Sequence, residues 1–260
     1  MPGVMFKRYL TISAVALSIG WASCAQASVV INTTRVIYNE KAGETIVQLS
    51  NKGKGPVLIQ SWIDDGDTKS RPDSVNVPFN LTPPVARLDP DKGQTLRIVR
   101  TGGGLSPQQE SLFWLNVLEV PPKPTGQIAA GDNLMQFSFR SRIKLFHRPA
   151  GLTVTPQQAY DKLALTLRRS GAGYAVIVNN PSPYHITFRQ LDVRQAKESS
   201  VLGYLGKTPD RMVAPFSELT LALQGVKAPL PAGAKAFYSL VNDMGGDSKY
   251  ERTLATEGGS

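Results

Sequence analysis

The sequence predicts an all-β chain built as two successive sandwich domains, and three observations lead there. Short runs of alternating apolar and polar residues fill the chain, turn-forming residues separate them, and no segment sustains a helical period of useful length. Many short strands spaced by turns are the mark of a sandwich. The pattern restarts after Arg148-Pro149-Ala150, which divides the chain into two β-rich halves.

The first element stands outside that pattern. Lys7 and Arg8 precede an apolar run from Tyr9 to Ala22, and Ala25-Gln26-Ala27 supplies the small-x-small site of a signal peptidase. Cleavage is therefore expected before Ser28, with residues 1–27 as the leader and the periplasm as destination. The run falls short of the about 20 apolar residues that span a bilayer. Cys24 raises a lipoprotein reading, against which stands the bulky Trp21 where a Leu-like residue is usual. No later segment is long and apolar enough for a membrane helix, so no membrane insertion of the mature chain is expected.

Within the first half, Ser28 to Tyr38, Thr45 to Leu49, Val57 to Ile63 and Thr95 to Val99 read as strands. Gly43, residues 51–56, 64–67 and 89–93 punctuate them as turns. In the second half, Tyr160 to Leu167 places Leu163, Leu165 and Leu167 on one face. Tyr174 to Asn179, His185 to Val193, Glu218 to Leu223 and Ala234 to Asn242 follow. The polar, Gly-ended tail from Lys249 to Ser260 reads as a weak, fraying last strand. The expected domains are 28–149 and 150–260.

Cys24 is the only cysteine, so the mature chain can form no disulfide even where export would permit one. Its stability has to come from ordinary cores, and its 233 residues suffice for two domains of about 115. Loss of Lys7 and Arg8 with the leader takes the net charge from +9 to +7. The basic residues are scattered and an exported protein rarely meets nucleic acid, so no nucleic-acid partner is expected. The surplus suits acidic protein partners and solubility.

Catalytic groups are sparse. His147 and His185 lie in different halves, neither has a nucleophile-elbow serine, and two histidines without a spaced carboxylate or thiol cluster make a poor metal set. Each is expected on a strand surface. Thr101-Gly102-Gly103-Gly104 lacks the Lys-Ser/Thr of a phosphate cradle and reads as a loop. Asp64, Asp65 and Asp67 lack the rest of a calcium loop and read as a turn. No catalytic residue, metal site or cofactor is assigned, and an exported hydrolase is disfavoured.

One segment stands apart, from Asn133 to Phe146. Met135, Phe137 and Phe139 alternate with Gln136, Ser138 and Arg140, so three large apolar side chains share one face. They are either the core face of a half-buried strand or a face presented to a partner by the Pro- and Gly-containing loop 121–132. Arg35 and Lys144, each inside an apolar strand, have the same ambiguity. They are either solvated or, if the two strands meet, a two-cation anchor for a carboxylate.

Several segments resemble the periplasmic pilus chaperones of the chaperone–usher pathway. They are Thr34-Arg35-Val36-Ile37-Tyr38, Thr82-Pro83-Pro84-Val85-Ala86-Arg87-Leu88, Glu110 to Val117 with Val120-Pro121-Pro122, and Ile143 to Pro149. In the second half they are Asn180 to Ile186, Val213 to Ser217, and Val241-Asn242-Asp243-Met244-Gly245-Gly246. The matches run in order along nearly all of the mature chain.

The resemblance implies two immunoglobulin-like sandwiches in a boomerang, a non-enzymatic function, and pilus subunits and an outer-membrane usher as partners. It implies that Arg35 and Lys144 hold the subunit's C-terminal carboxylate, that Met135, Phe137 and Phe139 form a donated strand, and that Glu110, Arg148 and Asp243 form an inter-domain ion network. Donation would cover the subunit's exposed groove and unpaired edges, which otherwise invite aggregation. His147 stands where Tyr is frequent, and Met244 where an aromatic is common. Twenty residues separate Pro122 from Ile143, and the lack of cysteine favours the short-loop branch. Three exposed apolar side chains also imply self-association of the free protein. The rival reading is a secreted two-domain adhesion module with those three side chains in its own core.

Overall fold

The computed structural model describes residues 28–123, 135–171 and 173–256. The expected leader, the greater part of the 121–132 loop with Asn133, and the last four residues of the tail lie outside them.

The first half comprises β1 (Val29–Ile31), β2 (Arg35–Asn39), β3 (Glu44–Asn51), β4 (Val57–Asp64) and β5 (Phe79–Thr82). It continues with β6 (Val85–Leu88), β7 (Gly93–Arg100), β8 (Ser111–Val120) and β9 (Phe139–Arg148). Two sheets face each other, ordered β1-β3-β7-β5 and β2-β9-β8-β4-β6. Period-two alternation makes this a sandwich: Val47 and Leu49 of β3 and Leu96 and Ile98 of β7 turn inward from one sheet. Ile59, Ile63, Leu115, Val117 and Leu145 meet them from the other. Full burial of each such side chain stabilises by about 1.5–3 kcal/mol.

The chain changes sheets between its first two strands. β1 pairs antiparallel with β3, whereas β2 pairs parallel with β9 in the opposite sheet. A 3₁₀ turn at Glu40–Ala42 then leads into β3, closed by Gly43 at φ +74°, a left-handed position that glycine occupies without strain.

The second half holds α1 (Pro156–Asp161), β10 (Ala164–Ser170), β11 (Gly173–Asn180), β12 (Ile186–Arg194), β13 (Gly203–Leu205) and β14 (Met212–Val213). β15 (Ser217–Gln224), β16 (Lys235–Val241), β17 (Asp247–Thr253) and β18 (Ala255–Thr256) complete it. β13 bonds to both β12 and β15, so eight strands run continuously, with β14 added beside β12, around one core that includes Leu165, Val176, Val178, Phe188, Leu191 and Leu240.

Three expectations change. The strand predicted from Tyr160 starts at Ala164, because Thr155 and Gln158 form a reciprocal cap and Pro156 starts a six-residue helix instead. The tail is no frayed strand: β17 pairs with β16 over seven residues, and β18 pairs parallel with β10. Neither histidine lies on a strand surface: His147 is buried, and His185 is half-buried just before β12. His147 shares its face of β9 with Leu145 and stacks on Tyr38, 5.8 Å between ring centroids. His185 lies against Phe146.

The two halves meet along one seam. The Glu110 amide donates to the Pro183 carbonyl at 2.9 Å, and Arg35 Nη1 donates to the Val241 carbonyl at 3.0 Å.

Candidate functional site

β9 lies inside its sheet but is partnered unevenly. β8 pairs with it from Phe139 to His147. On the other side β2 reaches only Lys144 to Arg148, because β2 starts at Arg35, directly opposite Lys144. Among the described residues, one edge of Phe139 to Ile143 therefore has no strand beside it. The empty lane along that edge ends at Arg35 and Lys144.

Alternation along β9 carries Leu145 into the core and Ile143 to its margin. Phe139, at the start of β9, and Phe137 and Met135, which precede the strand, are 38%, 60% and 81% exposed. A core-strand reading requires these side chains inside the molecule, and they are outside it. Gln136 Nε2 donates to the Pro121 and Pro122 carbonyls at 3.0 and 2.8 Å, tying this ribbon back to the end of β8.

Arg35 and Lys144 lie side by side in the register of two parallel strands. The Arg35 guanidinium sits over the Phe146 ring at 5.5 Å, and its buried Nε has no hydrogen-bond partner. Lys144 Nζ lies 5.6 Å from the Trp114 ring centroid. Among the described residues, no carboxylate forms an ion pair with either. Burial pulls the Arg35 guanidinium below its usual range, partly offset by Tyr160, Asp243 and Glu110. Burial likewise lowers Lys144, and the Arg35 charge lowers it further. Two desolvated cations without a counter-ion make a site that an arriving carboxylate would relieve.

Arg148, four residues along β9, is fully matched. Its Nη1 and Nη2 donate to Asp243 at 2.7 and 3.0 Å, and its Nε and Nη2 donate to Glu110 Oε1 at 3.0 and 2.8 Å. Burial opposes its charge, but Asp243 and Glu110 outweigh burial and raise its pKa. The other oxygen of Glu110 accepts the His185 amide at 2.9 Å, so this cluster crosses the seam. Burial also pushes the Tyr160 phenol up to about 12, with Asp243 acting in the same direction.

The outward face of β9 carries a further cluster that sequence reasoning missed. Arg142 pairs with the wholly buried Asp64 and covers Trp114 at 4.2 Å. Arg140 covers Trp62 at 4.7 Å and donates from Nε and Nη2 to Asn116 Oδ1 at 2.9 and 2.7 Å. Asp64, expected in a turn, instead ends β4 and accepts hydrogen bonds from Asn116, Ser70 and the Gly66 amide. Burial would raise its pKa, yet these donors together with Arg142 hold it below the usual value. The available signal was Arg140, Arg142 and Lys144 at period two opposite Trp62 and Trp114.

The fold and this edge define a two-domain binding protein that presents an open strand, with no metal-ligating cluster among the described residues. Residues 28–153 match the family described as pili and flagellar-assembly chaperone, PapD N-terminal domain, and residues 158–252 match pili assembly chaperone PapD, C-terminal domain. The chain is 43% identical over 257 residues to the chaperone protein FimB/FhaD of Bordetella pertussis, covering 96% of this chain and 98% of that one. It resembles the solved structure of the YadV chaperone at 37% identity and TM-score 0.72, covering 88% of this chain and 100% of that one. It also resembles the SafB chaperone of Salmonella enterica, solved in complex with the SafA pilin, at 27% identity and TM-score 0.68, covering 89% and 99%. The chain belongs to the PapD-type pilus-assembly chaperones, a non-enzymatic family of two immunoglobulin-like domains.

Proposed function

We propose that this chaperone acts in the periplasm by lending the edge of β9 to an unfinished pilus subunit and then delivering that subunit to an outer-membrane usher. The observation that carries this is the empty lane beside Phe139–Ile143, which ends at two unpaired cations. A subunit strand laid in that lane would pair with the free backbone groups of β9, and its terminal carboxylate would meet Arg35 and Lys144. Met135, Phe137 and Phe139 would fill the groove left by the subunit's missing strand.

Magnitudes divide the labour. Each of the three side chains contributes about 1.5–3 kcal/mol if fully buried. Each charge-assisted contact to the carboxylate contributes about 1.5–3 kcal/mol. Apolar burial is the larger gross term, while the anchor fixes register, since a slip of one residue would turn every donated side chain outward. Glu110, Arg148 and Asp243 would set the angle between domains 28–149 and 150–260 without touching cargo. The complex of SafB with its pilin supports a pilus subunit as partner. Without cargo, the exposed face would be covered by a second copy of the chain. Export would use residues 1–27, and among the described residues no helix is long and apolar enough to cross a membrane.

Co-expression with the pilin of the same assembly system tests the proposal. Arg35→Ala and Lys144→Ala are expected to lose co-purification of the subunit while the chaperone keeps its melting temperature. Unfolding of both variants would make these cations structural and overturn the site.

A further inference from the structure

Glu119 is a carboxylate on the core-facing side of its strand. It follows Leu115 and Val117 at period two along β8, and it is only 7% exposed. Among the described residues no basic side chain pairs with it. Its side-chain hydrogen bonds all come from two residues at the start of β1. The Ser28 amide lies 3.2 and 3.0 Å from the two oxygens, Ser28 Oγ donates at 2.5 Å, and the Val29 amide donates at 2.9 Å.

The seat for Ser28 is closely fitted. Its carbonyl accepts the Lys52 amide at 2.7 Å. Gly53 leaves the space it needs, because a Cβ there would lie 2.4 Å from the Ser28 Cβ. The contact also has a strategic position. β1 and β8 belong to opposite sheets, and Glu119 is the residue paired with Phe139, where β9 leaves its sheet.

An inward carboxylate held only by neutral donors lacks the opposite charge that burial calls for. A peptide amide offers one hydrogen, here shared between two oxygens. We propose that Glu119 is the receptor for the α-ammonium of Ser28, which comes into being when the leader is removed. This rests on the reading that cleavage falls before Ser28. Water then adds across the Ala27–Ser28 bond, leaving a carboxylate on Ala27 and an ammonium on Ser28, with no net proton exchanged at neutral pH. The new group has three hydrogens and a positive charge, and charge-assisted bonds are about twice as strong as neutral ones. Leader removal thus closes the first sandwich at the end from which the donor ribbon emerges, so that end is completed only after export.

The test is a double-mutant cycle on full mature chains made with defined starts, using a tag protease that leaves no added residue. One chain starts at Ser28 and one at Ala27, each with and without Glu119→Gln. Starting at Ala27 is expected to raise the unfolding equilibrium constant about tenfold, the scale of one charged hydrogen bond. Glu119→Gln should do the same to the Ser28 chain and have much less effect on the Ala27 chain. Equal stability of the two starts, or an equal loss from Glu119→Gln in both, would overturn the proposal and leave Glu119 as an acceptor of amides alone. Intact mass of the exported protein reads the cleavage site separately. A start other than Ser28 would overturn the proposal through the leader reading even with a positive cycle, so the two failures are told apart.

Discussion

Arg148 and the Arg35–Lys144 pair lie on the same two strands, near the same seam, and all three cations are partly buried. They are treated in opposite ways. Arg148 meets two carboxylates that raise its pKa, whereas Arg35 and Lys144 meet none among the described residues and burial lowers theirs. A fold that needed all three for its own stability would have paired all three. The difference separates a charge cluster neutralised within the chain from a cation pair that has no counter-ion among the described residues.

The largest expected effect breaks the comparison at its paired side. Glu110→Ala would leave Arg148 with Asp243 alone and strip the His185 amide of its acceptor. Removing one partner of a buried pair costs about 3–5 kcal/mol. Denaturant unfolding should register that loss, in contrast to the unchanged melting temperature expected for Arg35→Ala. Equal stability of the two variants would erase the distinction between the clusters.

Much of this was legible from the residues. Period-two alternation placed most strands because inward side chains are set by the pleat, and Met135, Phe137 and Phe139 stood out by the same rule. Three things were not legible. The helix at Pro156–Asp161 was hidden because six residues carry no period, although Thr155-Pro156 with Gln158 was a readable cap. The cluster around Asp64 was hidden because its members come from β4, β8, β9 and the stretch that follows β4. Arg142 and Asp64 are 78 residues apart, and only the sheet order brings them together. Likewise β2 and β9 had to be known as parallel neighbours before Arg35 and Lys144 could be known to face each other.

That hidden cluster sharpens the comparison with an intermediate effect. Asp64→Asn keeps size but removes the charge that faces Arg142, and the loss should be about 1–3 kcal/mol. The folded Asp64 pKa lies below its unfolded value, so its stabilisation is present above about pH 4 and is lost as pH falls through the folded value. Denaturation midpoints measured from pH 6 to pH 2 should therefore fall less steeply at the acid end in Asp64→Asn. Parallel curves would mean that Arg142 and Asp64 contribute no net pairing, and that β9 is fixed by packing on Trp62 and Trp114.

The smallest expected effect concerns His147, a third kind of buried group, with neither a partner nor a ligand role. Both its ring nitrogens lack hydrogen-bond partners, and Glu40 is 3.9 Å away. Burial lowers its pKa and the Arg100 charge adds to this, while Glu40 and Glu110 act against them. The unfolded chain therefore binds a proton near pH 6.5 that the folded chain refuses. Stability falls as pH drops below that value, by at most about 1.4 kcal/mol per pH unit, until the folded pKa is reached. His147→Phe keeps the ring against Tyr38 and Phe79 but cannot be protonated, so its melting temperature should hold level between pH 7 and pH 5 while that of the parent declines. An unchanged decline in His147→Phe would assign the acid sensitivity to other groups and show that this imidazole is as well accommodated charged as neutral.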